Sequence, residues 1–371
     1  MAKLLNTTLL VTMSMATPEG LGYGNIYASS SKLYFTSSLG KFDLTDSSGY
    51  IIVREYTTGV SSWTRPSKAK FIRLLASGGG SGGAGGQKRT AALQTFSPGG
   101  GGGQGAHIVH VTYPIEAFTI SSYTVTVGAG GNGGAGNSSL PGGTSAPGLA
   151  GGTTSLANGA NVMIRATGGT FADAGSLGDN FVGTTVFPSL GGCVPNVTPY
   201  VIRTYFHGNV VNGVGKNPST RSNENSFANF HAMNSICGNG CGGGGGGFSP
   251  AIAIGGSGSG VYVNGIPTAL SPPGAAGTGA NGTTGLDDVL DIMNLFFFSG
   301  SNTVTSSYGI GSGGGAGAGG NLSGTIGGGN GGDGGTIGAG GGGGGACNTG
   351  SAAGGNGGSG GDGYLAILEY Y

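Results

Sequence analysis

Residues 71–86 read Phe71-Ile72-Arg73-Leu74-Leu75-Ala76-Ser77-Gly78-Gly79-Gly80-Ser81-Gly82-Gly83-Ala84-Gly85-Gly86, an apolar strand that empties directly into glycine. The junction recurs along the chain. Residues 106–112 follow the glycines of 99–105, residues 123–127 run into 128–136, residues 162–166 run into 168–169, and the long tract 309–363 empties into Tyr364-Leu365-Ala366-Ile367-Leu368. A flexible linker would be Gly/Ser-rich, and a folded core does not contain five of them. The other reading of such tracts is an extended helix of three residues per turn. That helix has no internal hydrogen bonds, so its amides must bond to neighbouring chains, and without side chains several can pack closely. The tracts read as irregular, with no sustained Gly-X-Y repeat, which excludes collagen. The architecture expected is all-β: short N-terminal hairpins, then a glycine-rich, β-sandwich-like domain with packed polyglycine II helices and irregular inserted loops.

Composition narrows the alternatives. The chain has 371 residues, 91 of them Gly and 14 Pro, with 36% apolar and only 8% charged residues. Disordered chains combine low hydrophobicity with high net charge, and this one has a formal charge of zero. Glycine in this quantity disfavours helix interiors, which argues against a helical bundle or an ordinary α/β enzyme.

The zero divides unevenly. Residues 1–221 hold 14 Lys/Arg against 7 Asp/Glu, and residues 222–371 hold 7 acids and no Lys or Arg. A surface without cations cannot release counterions from phosphates, so no nucleic-acid partner is expected for the second half. No apolar run approaches the length of a membrane span, and no membrane insertion is expected. Asn6, Thr7 and Thr8 interrupt the apolar residues near the start, so a cleaved secretion signal is not expected.

Two segmentation features follow from patterning. Residues 1–55 read as small hairpins, with runs at Ile26-Tyr27, 32–35, 42–44 and 50–56. Residues 56–371 read as the glycine-rich domain, interrupted by bulkier inserts at 87–98, 170–236 and 261–308. Within these inserts Tyr200, Tyr205, Phe206, His207, Phe227, Phe230, Phe296, Phe297 and Phe298 stand among Asn and Ser, the composition of recognition loops, though a folded subdomain would bury the same aromatics. One helix is predicted, from a capping box at Thr284 and Asp287 with Leu286, Val289, Leu290 and Met293 on one face. Its acids, Asp287, Asp288 and Asp291, read as a solvated face at the helix start.

Chemical motifs are thin. Cys193, Cys237, Cys241 and Cys347 do not make a disulfide framework, and Cys237, Cys241 and His231 lack the second ligand pair of a metal site, so neither metal nor cofactor is expected. At this glycine content, Gly-x-Gly-x-x-Gly matches arise by chance. Residues 357–365 fit one copy of a calcium-binding nonapeptide, an architecture that needs tandem copies. No Ser or Cys sits in a nucleophile context such as Gly-x-Ser-x-Gly, and no catalytic residue is assigned.

Two features together resemble bacteriophage fibre proteins. Gly22-Tyr23-Gly24-Asn25-Ile26-Tyr27, Lys32-Leu33-Tyr34-Phe35 and Gly40-Lys41-Phe42-Asp43-Leu44-Thr45 resemble a short element found near the ends of phage tail-fibre and virion-surface proteins. From Tyr56 onward, Thr57-Thr58, Trp63-Thr64-Arg65-Pro66, Phe71-Ile72-Arg73-Leu74, residues 123–131 and the closing Gly361-Asp362-Gly363-Tyr364-Leu365-Ala366-Ile367-Leu368-Glu369-Tyr370 are similar to the glycine-rich domain of phage tail proteins and, in style, to T-even-type tip adhesins. The departure is at Leu74-Leu75-Ala76-Ser77-Gly78, where those proteins carry Val-Arg-Val-x-Gly-Gly-Gly. The resemblance implies a non-enzymatic virion component, commonly trimeric, joined to other virion proteins through its N-terminal region. Its partner would be a bacterial surface receptor, either a glycan or an outer-membrane protein. A head fibre or decoration protein, and more distantly an ice-binding or matrix protein, are the alternatives.

Overall fold

The computed structural model describes residues 51–88, 99–100, 102–103, 105–106, 108–138, 145–169, 242, 279–287, 308–320, 326–347 and 353–371, together with the backbone of strands at 25–29, 32–37, 40–43, 201–205, 262–263, 266–267 and 290–291. In chain order the strands are β1 (Asn25–Ser29), β2 (Lys32–Ser37), β3 (Gly40–Asp43), β4 (Ile51–Tyr56), β5 (Val60–Thr64), β6 (Phe71–Ser77), β7 (Ile108–Pro114), β8 (Ser122–Thr126), β9 (Thr154–Asn158), β10 (Asn161–Ala166), β11 (Val201–Tyr205), β12 (Tyr262–Val263), β13 (Ile266–Pro267), β14 (Leu290–Asp291), β15 (Gly309–Ile310) and β16 (Tyr364–Tyr370). Every pairing between them is antiparallel, and the described residues contain no α-helix. The all-β expectation therefore holds.

Strands β1, β2 and β3 form a meander of their own. The main body has two sheets, ordered β11-β7-β6-β16-β4 and β10-β9-β8-β5. Period-two alternation turns Ile72, Leu74, Ala76, Val109, Val111, Tyr113, Leu365 and Ile367 of the first sheet to one face. They share a buried cluster with Trp63, Tyr123, Val125, Leu156 and Ile164 of the second. Phe118, just after a single 3-10 turn at Ile115–Ala117, seals the centre with its ring 5.2 Å from Trp63, 5.5 Å from Tyr123 and 5.7 Å from Tyr113.

Strand β16 lies between β6 and β4 and ties the last residues to the first strand of this body. Its Glu369 is buried and accepts hydrogen bonds from Trp63 Nε1 (2.8 Å), Arg54 Nε (2.6 Å) and Tyr371 OH (2.9 Å). A carboxylate out of water needs such donors, and here three different parts of the chain supply them.

Beyond the strands, the glycine tracts continue as extended segments that bond to one another. Along 78–87 the partners step by three. Gly79, Gly82 and Gly85 donate to Gly152, Leu149 and Ala146; Gly80, Gly83 and Gly86 donate to Gly361, Gly358 and Gly355; Ser81, Ala84 and Gln87 accept from Gly341, Gly344 and Cys347. The other long segments keep the same step, with one slip where Gly311 donates to Thr336 and Gly314 to Gly340. These partners define rows. Segments 145–152, 78–87, 338–347 and 311–320 form a middle row, 128–137, 353–363, 327–336 and 279–287 form an outer row, and 168–169, 99–106 and 242 lie on the opposite side. Segment 338–347 is thus ringed by 78–87, 353–363, 327–336, 311–320, 242 and the described glycines of 99–106.

That step corrects the reading of the tracts as irregular. Residues 79–87, 328–336 and 354–362 are each three Gly-Gly-X triplets, with X as Ser81, Ala84 and Gln87, then Asn330, Asp333 and Thr336, then Asn356, Ser359 and Asp362. In the outer row the X residues face solvent, as burial with period three shows at Ala129, Asn132 and Ala135. Only X positions have room for a Cβ.

The helix predicted near 284–293 does not form over the described residues 284–287 and 290–291. Gly279, Gly282 and Gly285 recur every third residue, and the lattice takes them. Gly282 and Gly285 donate to Asn330 and Asp333, while Leu286 O accepts from Ser312 N–H, and Leu290 and Asp291 pair as a strand with Ile310 and Gly309. Interstrand bonds on both sides outweigh the weak preference carried by one capping box and an apolar stripe.

Candidate functional site

The two ends of the glycine lattice differ. At one end its segments join the sheets, through β6, β8, β9 and β16. At the other they stop together: Cys347 N–H bonds to Gln87 O, Gly354 N–H to Asn137 O, Asn137 N–H to Gly86 O, Gly320 N–H to Ala346 O and Gly328 N–H to Ala353 O. The chain leaves this far end after residues 88, 138, 320 and 347, and returns at 99, 145, 326 and 353.

Side chains close the far end. Gln87, Lys88, Asn137, Ser145 and Cys347 are all buried there. Gln87 Nε2 donates to Ser145 Oγ (3.0 Å) and Asn137 Nδ2 lies 3.5 Å from Gln87 Oε1, so the amides hold one another in place. Lys88 and Cys347 form a parallel bridge between the last residues of two middle-row segments. Burial pushes the Cys347 thiol up to about 11, although the Lys88 charge pulls the other way. At neutral pH the sulfur is a neutral thiol.

The outer row presents a different surface. Ala129, Asp362, Thr336 and Asp287 lie at the level nearest the sheets; Asn132, Ser359, Asp333 and Thr284 at the next; Ala135, Asn356, Asn330 and Asn281 at the third. Asx side chains stitch these levels laterally. Asp362 Oδ1 accepts from Gly130 N–H (2.8 Å), Asp333 Oδ1 from Ser359 N–H (2.7 Å), Asn330 Oδ1 from Asn356 N–H (2.8 Å) and Asp287 Oδ1 from Thr336 N–H (2.8 Å). The carboxylate of the nonapeptide match at 357–365 is thus engaged in this stitching. The acids predicted as a helix start share the fate of their segment, with Asp287 serving as a lateral acceptor.

Of the aromatic residues selected from the sequence, Tyr205 is the one whose backbone lies among the described residues. Tyr205 ends β11, opposite Ile108 at the edge of the five-stranded sheet, on the sheet side of the molecule. Tyr200, Phe206, His207, Phe227, Phe230, Phe296, Phe297 and Phe298 lie outside the described residues, as do Cys193, Cys237, Cys241 and His231. Residues 288–307 connect Asp287 and Tyr308, both at the sheet end of the lattice, where the Tyr308 ring lies 6.1 Å from Tyr364. Bulk pointed toward the longest inserts. The segments that end together at the far end are instead joined through residues 139–144, 321–325 and 348–352, whose Gly, Ser, Thr and Asn blend into the tracts around them in sequence; the interrupted third-residue spacing is the signal that finds them. Gln87 and Lys88, which open the insert read at 87–98, complete segment 78–87 with their backbone in register.

Compared with protein-family models and with curated protein sequences, the chain matches none.

Proposed function

We propose that this chain is a bacteriophage tail-fibre or tail-tip adhesin, a non-enzymatic virion protein that attaches the particle to a receptor on the host-cell surface. In this reading the glycine segments are polyglycine II helices. The three-residue partner step supports this, since a three-per-turn chain with no internal bonds must satisfy its amides laterally at that interval. The sheets and the N-terminal meander would face other virion proteins, in a homotrimer on the particle.

One observation carries the reading. Lattice segments that are joined through residues 89–98, 139–144, 321–325 and 348–352 end side by side, opposite the sheets. Loops held on a rigid scaffold are where recognition residues concentrate, because the scaffold removes the ordering cost of binding. The test is adsorption. Purified full-length protein should label host cells and compete with the particle, and exchanging residues 139–144 and 348–352 should change host range. Unchanged adsorption after that exchange would refute the adhesin role. A density map of the particle separates tail from head location, and a monomeric mass at micromolar concentration would count against the trimer.

A second reading has one observation in its favour. The outer row repeats every three residues, as an ice-binding surface requires. Asp287, Asp333 and Asp362 on or beside it keep the surface hydrated, which weighs against it. Absence of thermal hysteresis in the purified protein closes that reading.

A further inference from the structure

We infer that the second face of the five-stranded sheet is a docking site for residues 292–307 of the same chain, seated there by the apolar run Leu295-Phe296-Phe297-Phe298. The inference goes beyond the adhesin reading and does not rest on it. It assigns Phe296, Phe297 and Phe298, three of the aromatic residues selected as receptor contacts, to the interior.

Alternation along the strands gives this sheet two faces. One, carrying Ile72, Leu74, Val111 and Leu365, meets the four-stranded sheet in the core cluster. The other carries Leu75, Ile108, Tyr364, Ala366 and Leu368, which are 0–1% exposed and stand outside that cluster. Strands buried on both sides read as continuous apolar runs, as residues 364–368 do. The burial is that of a single chain, so the cover is the chain's own. The four-stranded sheet lies on the opposite face and the glycine segments run on from the strand ends, which leaves the connecting stretches to supply it. Three observations point to 292–307. Leu290 and Asp291 pair with Ile310 and Gly309, so the stretch leaves and returns at one point. It returns through Tyr308, whose ring lies 6.1 Å from that of Tyr364, on the face in question. Its sixteen residues, out and back, reach about 26 Å, enough to pass along the seven residues of β16, about 23 Å. It contains no Asp, Glu, Lys or Arg. Residues 170–200 carry Asp173 and Asp179, and residues 206–241 carry Lys216, Arg221 and Glu224, charges that are costly to bury against Leu75 and Leu368.

The test puts the photocrosslinker p-benzoylphenylalanine in place of Phe296, Phe297 and Phe298, one at a time, in the full-length protein, and maps the products by mass spectrometry. At least one position should crosslink within the chain to residues 71–77, 108–114 or 364–370. Crosslinks confined to other segments, crosslinks between copies, or none from any of the three positions would each overturn the proposal. The same probe at Ile252 covers the other uncharged apolar stretch, residues 248–254. If it reaches those strands while the three Phe positions do not, the face belongs to that stretch and the proposal falls. Stability gives a second readout. Phe297→Ser should lower the melting temperature by roughly 4–6 °C, and Phe297→Leu, which keeps an apolar side chain, by less than half as much. Serine at each of the three positions with melting within a degree of the parent would overturn it as well. Should the serine variants fail to fold, the crosslinks decide it alone. The outcomes separate from those of the adhesin reading. Adsorption lost in Phe297→Leu at an unchanged melting temperature returns these side chains to the receptor surface, refuting the docking and leaving the adhesin; intrachain crosslinks in a protein that does not label cells do the reverse.

Discussion

Gly83→Ala is the sharpest probe of the lattice. In a flexible Gly-rich linker this change stabilises or does nothing, because alanine has less unfolded-state freedom to lose, a gain of about 0.4–1 kcal/mol. In the middle row the outcome reverses. A methyl built on Gly83 falls well inside van der Waals contact with the carbonyl oxygen of Gly342, so segments 78–87 and 338–347 must separate. Four bonds are strained at once: Gly83 N–H to Gly358 O (2.8 Å), Gly134 N–H to Gly83 O (2.8 Å), Gly341 N–H to Ser81 O (3.0 Å) and Gly344 N–H to Ala84 O (2.9 Å). At about 1 kcal/mol net for each bond the loss is about 4 kcal/mol, of which the alanine effect restores less than one. A net cost of about 3 kcal/mol lowers the melting temperature by roughly 4 °C in a chain of this size. Differential scanning calorimetry measures it, with Ala135→Ser, at an exposed X position, as the reference expected within about 0.5 kcal/mol of the parent. A Gly83→Ala protein melting within a degree of the parent would refute the close packing on which the fold description rests.

Other expectations follow from the same geometry. Asn356→Ala removes the acceptor for Gly136 N–H (2.9 Å) on the exposed row and should cost about 0.5–1.5 kcal/mol by denaturant titration. Trp63→Phe leaves buried Glu369 short of a donor and opens space beside Phe118, and should cost about 2–4 kcal/mol in the same titration. Burial holds the Cys347 thiol near 11 against an ordinary value of 9.0, and raises Tyr370 and Tyr56 as well. Groups with raised folded-state pKa favour the folded state fully below their unfolded values, so stability should fall as pH rises from about 9 toward 11, with Cys347→Ala shallower than the parent. For the same reason native Cys347 should resist alkylation at pH 8 until the chain is unfolded, which mass spectrometry reads directly.

How much of this was legible varies by element. Strands β6, β8 and β16 are readable because Phe71-Ile72-Arg73-Leu74-Leu75, Tyr123-Thr124-Val125 and Tyr364-Leu365-Ala366-Ile367 combine apolar and β-branched residues that must be buried. The side-by-side packing of the tracts is legible from composition, since only an intersegment bond can satisfy so many bare amides. Their exact period is not: Ser81, Ala84, Asn330 and Asp333 look like noise until the partner of each glycine is known. The segment around Leu286 shows the limit most clearly. Its capping box and apolar stripe are local signals, whereas the bonds that extend it come from Ser312, Asn330 and Asp333, far along the chain. The far-end cluster has no motif at all, because Gln87, Asn137 and Ser145 meet only after three segments are laid in register.

The lattice also sets how the protein responds to temperature. Unfolding an ordinary core exposes apolar surface and raises the heat capacity, while exposing peptide groups lowers it. Segments such as 78–87 and 338–347 bury mostly backbone, with Ala84, Ala339 and Ala346 as their small apolar side chains. Their contribution to the heat-capacity change is therefore small or negative, and the stability curve of the whole is flatter than its size implies. A flatter curve means a scaffold that neither softens in the cold nor depends on the hydrophobic effect near room temperature. Whatever the far end carries is held in the same geometry across the range of temperatures at which it must act.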